Sequence, residues 1–217
     1  MEVYVSLWSA DLLDLGAAID RIAPVADGIH LDVFDGHNVD DLLFGPDLVA
    51  AVRARTDLLL DVHLNVTDPD HWARRFLAAG ADMVTVQSGA CRDVEATLGL
   101  VRAEGGRPSL GIEVGEPLDG PAALAGLVDR FLVMGTPIGV KGLGLDPDAP
   151  ARVSALAQQL ASAGTVRPVF VDGGIRAETV GPLAEAGADG VIPGSLVFGA
   201  EDPVAAVEQL HQLRRSA

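Results

Sequence analysis

The stretch HLDVFDGHN, residues 30–38, sets His30, Asp32, Asp35 and His37 on a run that otherwise reads Ile29, Leu31, Val33 and Phe34. Residues two apart in a strand share a face, so His30 and Asp32 point one way while Leu31 and Val33 point the other. One face is apolar, the other carries an imidazole and a carboxylate, and the run ends in Asp-Gly. That is the form of a buried strand whose C-terminal end carries chemistry. The form recurs in LDVHL (60–64), where Asp61 and His63 share a face, and in PVFVDGG (168–174), where Asp172 precedes two glycines.

Working outward, short β-branched runs occur at 2–7, 28–33, 58–64, 82–87, 109–114, 130–135, 168–173 and 190–194. Between them apolar residues recur every three or four positions, as in Val153, Leu156 and Leu160 or Val204, Val207, Leu210 and Leu213. That is the spacing of a helix with one buried face. Asp11, Asp70 and the pair Asp202–Pro203 are the expected helix starts. Strands alternating with single helices pair in parallel under a helical cover. Eight such units predict a single (β/α)8 TIM barrel over residues 1–217. The echo of AAGAD (78–82) in EAGAD (185–189) fits repetition, each with a helix ending at Gly and a strand starting at Asp. No G-x-G-x-x-G follows the first strand, which counts against an open doubly wound sheet.

Composition narrows the partners. The formal net charge is −16, and such a surface repels nucleic acid and anionic membranes alike. No apolar run approaches the roughly 18 residues of a membrane span, and no signal peptide is visible. The lone Cys91, read as a semi-buried small residue, fits a reducing, cytoplasmic compartment. Of the 15 basic residues only Lys141 is a lysine, inside the glycine-rich GTPIGVKGLG.

In a barrel the functional residues lie at the C-terminal strand ends. Ser6, His30, Asp32, Asp61, His63, Asp172, Gly194 and Ser195 all fall at such ends. If the polar faces point inward, His30, Asp32, His63 and Asp172 converge on the barrel mouth. Two imidazoles and two carboxylates suit Zn²⁺, Fe²⁺, Mn²⁺ or Co²⁺ better than Ca²⁺ or Mg²⁺. Burying them without a metal or substrate is costly. The glycines of VDGGI and IPGS expose backbone N–H groups of the kind that bind phosphate, at the two strands after which barrels commonly hold it. Gly173, Gly174, Gly194 and Ser195 are therefore substrate-binding candidates. Arg176 reads either as added charge there or as a solvated helix residue, and Ser6 and Ser9 as substrate contacts or as strand-end polar groups. Lys141 reads as a lid cation over an anionic substrate group, its glycine neighbours permitting closure, or as a solvated loop residue.

At these positions the chain resembles the ribulose-phosphate 3-epimerase family. SLWSAD (6–11) is similar to the family's S-x-L-x-A-D and HLDVFDGHNV (30–39) to its H-V-D-V-M-D-G-H-F-V. FGP, LDVHL, GAD, LVM, VDGGI and GS follow in family order. The resemblance implies a (β/α)8 barrel of the ribulose-phosphate-binding type that inverts the carbon next to the ketone of a ketose phosphate through an enediolate. It implies one divalent metal ion on His30, Asp32, His63 and Asp172, with Asp32 and Asp172 also the acid/base pair. The departures fall on the substrate wall. Phe34 and Asn65 replace methionines, Asn38 an aromatic and Gln87 a histidine. TPIGVKGLG stands for N-P-G-F-G-G-Q, and VGEP (114–117) for N-P-x-T-P.

Two rivals remain. One is a phosphate-binding barrel lyase or aldolase on a related sugar phosphate; its decarboxylase relatives carry Asp-x-Lys where this chain has LDVHL. The other is a non-catalytic sugar-phosphate binder, for which a second carboxylate would be superfluous. His37 is expected to order its loop, and His71 and His211 to lie on helix surfaces. Leu42, Leu43 and Phe44 are the candidate patch for a homo-oligomer interface.

Overall fold

Alternation sends the side chains of each barrel strand to two destinations. In the computed structural model, which describes residues 1–213, nine strands form one sheet: β1 Glu2–Ser6, β2 Gly28–Asp35, β3 Leu42–Leu43, β4 Leu59–Asn65, β5 Met83–Gln87, β6 Arg107–Ile112, β7 Arg130–Met134, β8 Val169–Asp172 and β9 Gly190–Ile192. Eight are parallel, and β1 pairs with both β2 and β9, which closes the barrel. The short β3 pairs antiparallel with the end of β2. Helices α1 (Leu15–Ile22), α2 (Pro46–Arg53), α3 (Pro69–Ala78), α4 (Val94–Ala103), α5 (Asp119–Ala123), α6 (Ala149–Ser162) and α7 (Ala177–Glu185) fill the successive crossovers, and α8 (Ser195–Phe198) and α9 (Pro203–Gln212) follow β9. None of these helices is long and apolar enough to cross a membrane.

The odd residues of β2, Ile29, Leu31 and Val33, join the main core between sheet and helices, as do Leu60, Val62 and Leu64 of β4. The other parity faces inward, and there the barrel is divided. Tyr4, Leu132, Met134, Phe170 and Ile192 form a separate apolar cluster on the β1 and β7–β9 side. On the β2 and β4–β6 side most of the buried inward residues are polar, among them His30, Asp61, His63, Thr85, Gln87 and Ser109, all fully buried, with Met83 and Phe34 the apolar neighbours. The polar half is what the function must explain.

The bottom of the barrel is tied by aspartates that precede strands. Asp27, Asp82 and Asp189 each accept the backbone N–H of a residue in the preceding barrel strand (Val3, Leu60 and Val169, at 2.8, 2.8 and 2.9 Å) and donate their own N–H to the same residue's carbonyl. This explains the repeated Gly-Ala-Asp. Gly80 and Gly187 leave their helices at φ of 104° and 102°, which glycine adopts without strain, and deliver Asp to the clamp.

Some local expectations shift. Asp11 does not start a helix: it accepts from Leu13 N, and α1 begins after Asp14. Asp68, not Asp70, caps α3, while Asp70 accepts from Thr97 Oγ1 at 2.6 Å. Asp202 caps α9 as expected. The strand expected at 109–114 runs instead from Arg107 to Ile112. Pro108 is tolerated because it sits at the strand start, where its carbonyl accepts from Asp129 N. Of the apolar patch, Leu42 is 75% exposed, but Phe44 packs against the core.

Candidate active site

β2, β4 and β8 deliver the four expected side chains to one point at the C-terminal end of the barrel. Asp32 Oδ1 lies 3.3 Å from His30 Nε2 and 3.2 Å from His63 Nδ1. Asp172 Oδ2 lies 3.7 and 3.9 Å from the same two nitrogens. One donor atom from each residue falls within 4.8 Å of all the others. Four ligands at about 2.1 Å from a tetrahedral cation stand about 3.4 Å apart, so the spacing and the N₂O₂ chemistry fit one divalent transition ion.

Each imidazole is held from behind. His30 Nδ1 is 2.8 Å from Asp61 Oδ2, which leaves Nε2 to face the cluster. Asp61 also accepts from Thr85 Oγ1 at 2.8 Å and from the guanidinium of Arg130. His63 Nε2 meets the side-chain amide of Gln87 at 2.6 Å. The amide orientation that turns Oε1 to His63 lets it accept the Nε2 proton and gives that otherwise unpartnered oxygen a donor. Nδ1 of His63 is then the bare nitrogen facing Asp32 and Asp172.

The two carboxylates of the cluster differ. Burial alone would raise Asp32, but His30 and His63 outweigh it and hold the acid far below the usual carboxylate range. Burial and the neighbouring charge of Asp32 push Asp172 up to about 6. Burial opposes the imidazolium form of His30, yet Asp32 and Asp61 overcome it and raise its pKa well above normal. In the absence of a cation the cluster therefore favours protons where a metal would sit. Metal binding and proton release are linked.

The cavity above the cluster is walled by Ser6, Trp8, Phe34, the glycines after β8 and β9, and the loop after β7. Ser6 Oγ donates to Asp32 Oδ2 at 3.3 Å. Trp8 and Phe34 meet edge to face at 5.0 Å. Gly173 and Gly174 turn at φ of 91° and 68°, and a Cβ on Gly174 would come within 2.5 Å of Leu145 Cα. The pair is thus required by the turn and by the close approach of the β7 loop. Gly194 and Ser195 start α8 beside Ser9. Lys141 reaches across the mouth from β7 to β1. Its ammonium donates to Trp8 O at 2.6 Å and sits 4.5 Å from the centre of the Trp8 ring. Arg176 caps α7 and donates to the carbonyls of Gly142 and Leu143, both at 3.2 Å, so it anchors the same loop.

The other singled-out residues lie away from the cluster. Asp35 accepts from the backbone of His37, Asn38 and Thr67, fixing the loop that holds His37. His71 packs on Trp72 and His211 pairs with Asp27 on the outside of the barrel. Burial pushes the Cys91 thiol up to about 11, so it is a structural rather than a nucleophilic cysteine. Sequence reasoning missed Arg130. An arginine at the first position of a strand, directly after Asp129, reads as a surface residue.

An eight-stranded parallel barrel with a two-histidine, two-aspartate cluster at its C-terminal mouth defines a (β/α)8 barrel enzyme with a candidate metal centre. Residues 2–198 match the model of the ribulose-phosphate 3 epimerase family. The chain belongs to that family, whose members are isomerases. A ribulose-phosphate 3-epimerase of Mycobacterium bovis is 34% identical over 203 residues, covering 94% of this chain and 87% of the relative. One from Bacillus subtilis is 32% identical over 212 residues, covering 97% and 98%. Among solved structures, KGPDC from Streptococcus mutans superposes with a TM-score of 0.73 at 16% identity, covering 98% of both chains. A 3-hexulose-6-phosphate synthase from Salmonella typhimurium gives 0.70 at 19%, covering 98% of both. At such identities these two speak to the fold alone.

Proposed function

We propose that the protein is a metal-dependent ketose-phosphate epimerase that inverts the carbon beside the ketone of ribulose 5-phosphate or a close relative. The observation that carries the reading is the convergence of Asp32 and Asp172 on one point with a ring nitrogen each of His30 and His63. His30, Asp32, His63 and Asp172 would hold one divalent ion, which supplies Lewis-acid charge beside the ketone and so acidifies the neighbouring C–H.

Asp32 and Asp172 handle the proton. Inversion needs one carboxylate to take it from one face and a second, protonated, to return one to the other. Two acids in unlike environments meet that need: Asp32 is held ionised by the flanking imidazoles, and Asp172 is pushed toward its acid form. The reverse reaction exchanges their roles. Asp32 comes from β2 and Asp172 from β8, with β1 and β9 between them in the barrel wall. Ser6 steadies Asp32 from β1.

Backbone N–H groups around Gly173–Gly174 and Gly194–Ser195 take the phosphate. Lys141 contacts an anionic group of the substrate from above. Its ammonium is partly desolvated, which lowers its pKa and strengthens its pairing with an anion. With Arg176 holding the loop backbone, this strap keeps water from the exposed carbanion. The test is incubation of the protein with ribulose 5-phosphate in D₂O, read by NMR. The expected result is one deuterium at C3 in both the recovered ketose and its C3 epimer. A two-fragment product, or unlabelled substrate alone, would overturn the reading.

A further inference from the structure

Arg130 is 2% exposed in a barrel interior that could have been apolar. Its Cζ stands over the Tyr4 and Phe170 rings at 5.3 and 4.8 Å, next to Leu132 of its own strand, so one side of it is already hydrophobic. A buried ion pair is costly to desolvate, and a well-packed apolar replacement is often as stable or more so. Stability alone therefore does not account for a guanidinium here.

What the other side of Arg130 touches does. Its Nη2 meets Asp61 Oδ2 and lies 3.0 Å from Thr85 Oγ1, and Nε is 3.3 Å from Ser109 Oγ. Asp61 in turn holds His30 Nδ1 at 2.8 Å, and the opposite nitrogen of that ring faces Asp32 and Asp172. A continuous chain thus runs from β7 through β4 to β2, ending at a donor atom of the cluster. With a divalent ion bound, its two charges and the guanidinium would offset the carboxylates of Asp32, Asp61 and Asp172. The fork geometry of arginine matters, because one planar group spans three strands.

We propose that Arg130 is a positioning residue of the metal centre: it clamps Asp61, which holds the Nδ1 proton of His30 and turns Nε2 onto the cation. The proposal rests on His30 being a ligand. Outer partners of ligating histidines typically change metal affinity by about 10–100-fold when removed.

The test is Co²⁺ titration of metal-stripped protein, followed by visible absorption, with Zn²⁺ competition and circular dichroism as a fold control. Arg130→Met is expected to weaken Co²⁺ binding at least about tenfold and to alter the ligand-field spectrum, and Arg130→Lys to recover part of both. His30→Ala is the reference for losing the ligand itself. If His30→Ala binds Co²⁺ like the parent, the ligand reading and the proposal fall together. If His30→Ala loses binding while folded Arg130→Met keeps parental affinity and spectrum, the proposal alone falls. Should Arg130→Met not fold, the charge-neutral pair Arg130→Met with Asp61→Asn removes the unpaired carboxylate. That variant is expected to fold and still bind Co²⁺ at least about tenfold more weakly; parental affinity in it overturns the proposal.

Discussion

Asp172→Asn should make the metal-free protein more stable while disabling it. In the folded chain burial and the charge of Asp32 raise Asp172 to about 6, from an ordinary value of 3.8. A carboxyl whose folded pKa is raised contributes stability in full below its unfolded pKa and loses it as pH rises through the folded one. The gap between those two values corresponds to at most about 3 kcal/mol, at roughly 1.36 kcal/mol per pH unit. Only 14% of the side chain is exposed, so solvent screens little of it. Asparagine mimics the protonated form at every pH. Urea melts in excess EDTA should therefore show the variant up to about 3 kcal/mol more stable than the parent at about pH 8, shrinking to about 1 kcal/mol at about pH 4.5. The same variant reloaded with metal should lose at least about 10²-fold in kcat through the missing acid/base group. A metal-free variant no more stable than the parent at about pH 8 would refute the claim that Asp32 and Asp172 are forced together.

The remaining expectations are simpler. Lys141→Met should raise KM for the phosphorylated substrate by about tenfold or more, as loss of a charged hydrogen bond of roughly 1.5–3 kcal/mol requires, and unchanged steady-state constants would remove Lys141 from the site. Chelation should abolish activity and lower Tm. Restoring Zn²⁺ at about a hundred times its Kd adds about 2.7 kcal/mol, or roughly 5–10 °C, and a Tm indifferent to metal would count against a resident ion. The Asp35 carboxyl is lowered to about 2, because four hydrogen bonds from Thr67, Asn38 and His37 outweigh the effect of burial. A depressed carboxyl contributes stability above its unfolded pKa of about 3.9 and loses it as pH falls through the folded value. Asp35→Asn should thus cost stability at neutral pH and progressively less from about pH 4 to about pH 2, measured by urea melts; a constant difference would contradict the assignment.

The barrel was legible because alternation is strict where a strand separates two cores. Ile29, Leu31 and Val33 face the helices while His30 and Asp32 face inward, and the same parity organises β4. The cluster was legible for the same reason, since strand-end position and parity suffice to bring His30, Asp32, His63 and Asp172 together. Arg130 was not. Its inward direction depends on the stagger that sets it opposite Ser109 across β6 and β7, a property of the closed sheet rather than of any local pattern. The place of Asp61 one layer beneath His63, against His30 rather than beside it, depends on the β2–β4 register in the same way. The strap from Lys141 to Trp8 joins residues 133 apart in sequence, and only the closed barrel brings their loops to one mouth.

The proposed chemistry depends on one divalent cation among His30, Asp32, His63 and Asp172. Its most direct test is a crystal grown with Zn²⁺ or Mn²⁺ and measured at that metal's absorption edge. A single anomalous peak is expected, bonded to His30 Nε2, His63 Nδ1 and one oxygen each of Asp32 and Asp172. A peak elsewhere, with these four side chains turned apart, would contradict it.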